Sequence, residues 1–566
     1  MNQSTESQAA PSSSLWVASL LVGAAMLHFL AGMGADPDLW AHVHYGGMIL
    51  DGHGLPREDF FSYSAPGATF YDHEWLADLV FAFVWRSMGA VGLVGLKLLI
   101  SVFMLVALLD TTRTLRRELL PQRHLEPLLT AALLVLVLAV VHPGATFRPQ
   151  LFTMLFLAIE LALLARADMA LRGPRGSPGW CGGLVPVLLA VWANFHGGFL
   201  VGVGLLGLWG GVALLRVLGP TLRRLLPPRT ILRGESGGAL AAAVQPAGSF
   251  SCLAVVGILA ICLAGLVAPL LNPYGVELYL YLWRTLGMHG EISEWEPVAL
   301  GDTNFLRYHI LIALTATAGL VLLRWTPVGR RGGVLAWLVP MTLLGALYGY
   351  RHQRHTVLFA ELSVPLLLVG AEALRARLVA SSGAFSLRAP VRTAIAAGMA
   401  GLALVQMVSF GAQLARDGIA VRFGRLDYPV DAVSFLQRHG FSGNMAVPFE
   451  WGAYVIYKLG DQSRVFMDGR FEAVYPPQVI DDYFRFMTGT KGWERVLDSY
   501  PTDVVVVQRW RNIHPRLFAR DDLEYVYSDP AALVFVRRSN ATQAALERLA
   551  LIEERNDFPR YATVFP

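Results

Sequence analysis

Asp36 and Asp38 stand with Trp40 and His42 in the stretch DPDLWAHVH, just after an apolar run that ends at Leu30. A carboxylate there can take a proton from a hydroxyl nucleophile, and with a reference pKa of about 3.9 it is already ionised at neutral pH. A second polar string, YDHEW, carries His73, Glu74 and Trp75. Further along come Arg148 in HPGATFRPQ, His196 in NFHGG, Asn272 in NPYG, Glu294 and Trp295 in EISEWEP, and Arg351, Arg354 and His355 in RHQRH. A guanidinium fork matches phosphate, so Arg351 and Arg354, joined by Arg148, are candidates to hold an anionic ligand. Glu291, Glu294 and Glu296 are the alternative, as partners in plain internal salt bridges. Displacement at an anomeric carbon needs both kinds of group, a carboxylate for the acceptor proton and a cation for the departing phosphate, because its transition state is oxocarbenium-like. Asp36, Asp38, His42, His73 and Glu74 are also ligand types that suit a divalent metal, although their spacing matches no strong ligand motif. No cofactor is demanded by the sequence.

These strings are scattered along most of the chain, so the elements between them must gather them. The 566 residues are 54% hydrophobic and 16% charged, with a mean hydropathy of +0.47. That is too apolar for a soluble protein of this size. About eleven membrane spans are expected, near 14–33, 91–110, 128–142, 149–166, 180–195, 198–216, 251–271, 307–324, 333–350, 355–374 and 393–414. Arg113, Arg116, Arg117 and Arg123, then Arg166, Arg172 and Arg175, then Arg216, Arg223 and Arg224, then Arg324, Arg330 and Arg331 all fall in alternate loops, which puts those loops and the N-terminus inside. Every polar string then lies on the outer face. Ionisable groups at membrane depth survive where they line a water-filled cavity, so a cavity opening outward is expected. The net charge of +4 is ordinary once the inner arginines are counted and gives no reason to expect nucleic acid. Cys181, Cys252 and Cys262 form no disulfide or zinc spacing.

The first outer loop, 34–90, reads as a folded lid. Asp36 suits an N-cap and Pro37 a first helical turn, so DLWAHVHYGGMIL is expected to be an amphipathic helix in which Asp38 and His42 share a face. DHEWLADLVFAFVWRSMG reads as a second interfacial helix feeding the next span. After the last span the pattern changes. NMAVPF, SRVFMDGR, DVVVVQ, LEYVYS and ALVFVRR read as strands alternating with short helices. The expected organisation is a membrane domain over 1–415 and an extracytoplasmic α/β domain over 416–566. In the latter, Trp451, Tyr454, Asp468 and Arg470 could grip an acceptor, or the aromatics could be packing residues and Asp468–Arg470 a turn. The stretch 234–249 reads as a flexible inner loop.

An acidic motif after the first span, a loop of two interfacial helices carrying a HEW element, and a polytopic bundle with an extracytoplasmic C-terminal domain together resemble the GT-C glycosyltransferases. The likeness is to bacterial members akin to protein O-mannosyltransferases and the lipid A aminoarabinose transferase. It spans residues 14–375 in architecture, with its motif content in 36–45 and 72–75. It implies an all-α membrane bundle in the bacterial inner membrane. It also implies an inverting transferase that moves a sugar from a polyprenyl-phosphate donor to an extracytoplasmic glycan, lipid or protein acceptor. The base carries over to Asp36 and then Asp38, and the mannosyltransferases' adjacent Asp-Glu pair, here Asp-Pro-Asp, leaves open which of the two it is. A secondary transporter, favoured by Lys97, Glu160 and Glu361, and a non-catalytic protein that binds lipid-linked glycan are the rival readings.

Overall fold

The computed structural model describes residues 12–173, 176–225, 252–285, 293–327, 331–382, 389–423 and 427–550. The stretch 234–249, Arg175, Arg330 and Glu291 lie outside them. Apolar runs become helices because only a helix satisfies its own backbone groups in lipid. In chain order these are α1 (Ser12–Leu30), α2 (Leu39–Leu50), α3 (Trp75–Leu119), α4 (Pro127–Val141), α5 (Gln150–Leu171), α6 (Gly179–Trp192) and α7 (Phe199–Leu225). They continue with α8 (Cys252–Val267), α9 (Val276–Thr285), α10 (Leu306–Trp325), α11 (Val334–Arg351), α12 (Thr356–Ser382) and α13 (Ala389–Asp417). Among the described residues, nine helices are long and apolar enough to cross a membrane. The other two expected spans correspond to α5, which carries Glu160, Arg166 and Asp168, and the 14-residue α6.

Local chemistry sets the helix ends. Glu126 caps α4 by accepting the Leu129 N–H at 2.7 Å, with Pro127 in the first turn where its missing N–H costs nothing. α3 breaks at Gly89, whose φ of 56° favours glycine, so the stretch from Trp75 lies off the axis of the span that follows. At one end of the bundle the arginines are paired: Arg172 with Glu118 and Asp168, Arg216 with Asp168, and Arg375 with Glu372. The polar strings lie at the other end, where α1, α6 and α11 finish and α5, α7 and α12 begin.

All five expected strands form: β1 (Gly443–Ala446), β2 (Ser463–Val465), β3 (Val504–Gln508), β4 (Leu523–Ser528) and β5 (Ala532–Arg537). Their order is β2-β1-β3-β5-β4, with β2, β1 and β3 parallel and β5 antiparallel to both β3 and β4. Helices α14 (Val430–His439), α15 (Phe449–Leu459) and α16 (Pro477–Thr488) accompany the sheet. The edge strand β2 is covered by the first loop, since Val465 N donates to Phe61 O at 3.0 Å and Tyr63 N to Val465 O at 3.1 Å. Nearer the bundle, Ala35 N donates to Arg422 O and Arg422 N to Met33 O, at 2.6 and 2.7 Å. The first loop is therefore bonded to the C-terminal region at both places.

That region revises the acceptor reading. Trp451 and Tyr454 are fully buried, Trp451 donating to Asp427 O at 2.7 Å and Tyr454 packing edge-on against Trp40 and Tyr428. Asp468 is buried too, and Arg470 bonds it through Nη2 at 2.8 Å and Asp59 of the first loop at 2.7 Å. The guanidinium lies 5.1 and 5.0 Å from the Phe61 and Phe70 ring centroids. These four residues form an internal joint, and none presents a polar atom for an acceptor to grip.

Candidate active site

The site is built around Arg148, which stands just ahead of α5. Its Nε donates to Asp36 Oδ1 at 2.5 Å, Nη2 lies 3.1 Å from Asp38 Oδ2, and Nη1 donates to Glu294 at 2.8 Å. Asp36 is 5% exposed, whereas the Asp38 side chain is 36% exposed. Helix α2 begins at Leu39, later than the sequence pattern suggests, because the Asp36 carboxylate turns back to accept the Asp38 N–H at 3.1 Å. Tyr428 Oη donates to the Asp36 backbone carbonyl at 2.7 Å, so the residue's main chain is anchored while Arg148 and the Asp38 N–H hold its carboxylate. Burial raises the Asp36 carboxyl above the ordinary carboxylate range while Arg148 pulls it back, which leaves a stronger base than a free aspartate. Burial opposes charge on Arg148, but Asp38, Asp36 and Glu294 outweigh it and the guanidinium stays charged.

Lys97, one of the three residues that would favour the rival transporter reading, lies beneath this arrangement. Its Nζ donates to Gly32 O and Ala145 O, at 2.5 and 3.2 Å, tying the segments that lead to Asp36 and Arg148. Lys97→Met should therefore lower thermal stability by about 1–3 kcal/mol, from two carbonyls left without their donor. Unchanged unfolding temperatures in detergent would remove that role.

Glu74 lies between two histidines, 3.7 Å from His73 Nε2 and 3.4 Å from His196 Nε2. His196 Nδ1 accepts the Gly198 N–H at 2.9 Å and contacts Thr153 Oγ1 at 2.8 Å, so Nε2 carries the proton that faces Glu74. Burial lowers His73 to about 4 and takes His196 well below its ordinary value, while it raises Glu74. Both imidazoles are neutral at pH 7. His42 turns elsewhere, its Nδ1 2.7 Å from buried Asp78.

The arginine pair separates. Arg351 is exposed at the end of α11 and joins no described side chain of the site, because the chain turns between it and Arg354. Arg354 points inward, 4.6 Å from the Trp295 ring centroid, with Arg148, Glu294, Glu74 and Asp38 as its charged neighbours. No described carboxylate makes an ion pair with it; the nearby acids are engaged by Arg148 or face the histidines. Trp295 is held by its carbonyl, 2.9 Å from His352 Nδ1, and stacks edge-on with His355. Backbone bonds from Gln353 N to Glu296 O and from Val298 N to Tyr350 O, at 3.1 and 2.9 Å, bring the 294–298 segment to the arginines.

No protein-family model matches the chain, and no curated protein matches it in sequence. Solved structures do match in fold. The Archaeoglobus fulgidus oligosaccharyltransferase in its apo form superposes with a TM-score of 0.54 at 12% identity, over 87% of this chain and 69% of that one. The same organism's AglB, in complex with an inhibitory peptide and a dolichol-phosphate, gives 0.52 at 12% identity over 88% and 70%. ArnT from Cupriavidus metallidurans in the apo state gives 0.50 at 14% identity over 92% and 97%. The chain has the GT-C fold.

Within the GT-C fold several expected pocket residues prove structural. Trp40 is buried between Trp85 and Tyr457. Trp75 donates to Asn194 Oδ1 at 2.9 Å, and Asn272 donates to Ala193 O at 2.8 Å while its Oδ1 accepts the Tyr274 N–H. The five metal candidates do not converge: Asp36 and Asp38 turn to Arg148, His42 to Asp78, and His73 and Glu74 to each other and His196. Among the described residues, no group of three or more His, Cys, Asp or Glu side chains is arranged to hold a metal ion. Asp78, Thr153 and Asp59 escaped the sequence reading. Asp78, one turn after Glu74 on α3, was the one with a visible signal.

Proposed function

We propose that this protein is an inverting GT-C-type glycosyltransferase acting on the outer side of the bacterial inner membrane. It would transfer a sugar from a polyprenyl-phosphate donor to a glycan, lipid or protein acceptor. The observation that carries the reading is the pairing of a held, buried carboxylate, Asp36, with an inward guanidinium, Arg354, that has no described carboxylate in ion-pair contact. The fold supports it, since AglB, of the same fold, was solved with a dolichol-phosphate.

In this reading the acceptor oxygen attacks the anomeric carbon as the bond to the phosphate breaks. Asp36 takes the acceptor proton, and Arg354 and Arg148 stabilise the polyprenyl phosphate that leaves. Glu74, His73 and His196 line the sugar side as hydrogen-bonding groups, the two imidazoles neutral because burial lowers both. The Lys97 carbonyl bonds are a structural use of one of the three residues that favoured a transporter. A non-catalytic lipid-glycan binder would need Arg354 but not Asp36. Residues 416–566 are proposed as the separate extracytoplasmic domain, and labelling of a cysteine introduced at position 480 in intact cells tests that orientation. Labelling only after permeabilisation would overturn it.

The direct test is mass spectrometry of lipids copurifying with the protein, where a polyprenyl-phosphate sugar is the expected species. Arg354→Lys keeps the charge and loses the bidentate fork, so donor retention should fall about tenfold, whereas Arg351→Lys should leave it unchanged. Equal effects of the two would remove Arg354 from the phosphate site.

A further inference from the structure

We propose that the cavity between α2, the first part of α3 and α15 binds the headgroup of a zwitterionic phospholipid with a primary ammonium, of the phosphatidylethanolamine class. The cavity has a volume of about 570 Å³ and is lined by His44, Asp51, Trp85, Arg86, Gly89 and Tyr457, among others. It is lined by the second half of the 12-residue α2, the end away from Asp36, with Asp51 roughly 18 Å along from the helix start, and does not depend on the transferase reading.

Three observations carry it. Arg86 and Asp51 face each other bidentately, Nη1 to Oδ1 at 2.6 Å and Nη2 to Oδ2 at 2.7 Å, with both side chains about half exposed. An exposed pair contributes little, so a ligand that offers one charge of each sign can replace it without loss. The guanidinium fork suits a phosphate diester, and the carboxylate suits an ammonium that still has N–H donors. Second, the aromatic wall is fixed. Tyr457 stacks on Trp40 with centroids 4.8 Å apart, and its hydroxyl accepts the Trp85 Nε1–H at 3.0 Å. Trp and Tyr sit at headgroup depth in membrane proteins, and their ring faces attract an ammonium.

Third, the depth is right. Gly89 breaks α3 where the interfacial stretch meets the span. The exposed apolar side chains Met88, Val91, Leu99 and Val102 begin beside it and run on along the helix. Acyl chains thus have apolar surface next to the cavity. Asp51 repels a purely anionic headgroup, a choline headgroup gives it no N–H to accept, and an uncharged sugar matches neither charge.

Full-length protein would be exchanged into mixed vesicles of phosphatidylethanolamine, phosphatidylglycerol and phosphatidylcholine in equal mole fractions, re-extracted, and its retained lipids counted by native mass spectrometry. Phosphatidylethanolamine should be retained about fivefold over each of the others. Asp51→Asn should abolish its advantage over phosphatidylglycerol, and Arg86→Gln should lower retention of both, at unchanged melting temperature because the pair is exposed. Equal retention of the three lipids by the wild type, or preference for phosphatidylglycerol, would overturn the proposal. So would an unchanged preference when Asp51→Asn and Arg86→Gln are combined; if that double variant does not fold, the wild-type competition decides alone.

Discussion

Asp36→Asn should reduce glycosyl transfer by about 10²- to 10⁴-fold while leaving donor retention intact. The amide keeps the shape of the carboxylate, so its oxygen can still accept from Arg148 Nε and from the Asp38 N–H, and the start of α2 is preserved. What is lost is the capacity to take a proton. Because burial raises the Asp36 carboxyl and only the ionised form can act as base, wild-type transfer should fall as the pH drops through that raised value. Residual activity of the Asn variant should lack this acid limb. Asp38→Asn should cost less, since Asp38 is more exposed and makes the longer contact with Arg148. A transfer assay at matched expression decides the matter. Full activity in Asp36→Asn with a dead Asp38→Asn would make Asp38 the base, and full activity in both would remove the base from this loop.

Arg470→Ala is the substitution expected to harm stability most. Its guanidinium is 7% exposed and bridges two carboxylates of negligible exposure, Asp468 on its own turn and Asp59 in the first loop. Removing it leaves both charges buried without a cation, a change that typically costs about 3–5 kcal/mol. The damage should not stay local. Gly469 lies against Asp38, so closely that a Cβ there would stand 2.6 Å from Asp38 Oδ1, and movement of the turn reaches the candidate site directly. Transfer should therefore fall with the unfolding temperature. Adding Asp59→Asn to Arg470→Ala removes one orphaned charge and should restore part of the stability. An unaltered unfolding temperature in Arg470→Ala would mean that water reaches these carboxylates, and the joint would lose its energetic role.

Much of the architecture was legible in the chain. Apolar runs of membrane length and the alternation of arginine-rich loops marked the spans, and short strand-like runs after the last span marked all five strands. Those signals are local, since a span or a strand is written in consecutive residues, and they are read through burial of one continuous segment. The same locality placed every polar string at one end of the bundle, because helix ends alternate. Asp36, Arg148 and Arg354 could be named from residue type and side alone.

The partners of those residues could not be read that way. Arg351 and Arg354 are equivalent in sequence, yet a turn between two spans exposes one and aims the other at Trp295. Trp451, Tyr454, Asp468 and Arg470 have the composition of a binding loop, and packing of α15 against α2, with the first loop closing over β2, converted them into a buried joint. His42 was available to a metal or a substrate until Asp78 took its Nδ1. Propensity and hydropathy report how each segment meets water or lipid. The roles of single polar side chains depend on which segments distant in sequence arrive within about 3 Å, because hydrogen bonds and ion pairs are decided at that range, and only the tertiary structure brings those segments together.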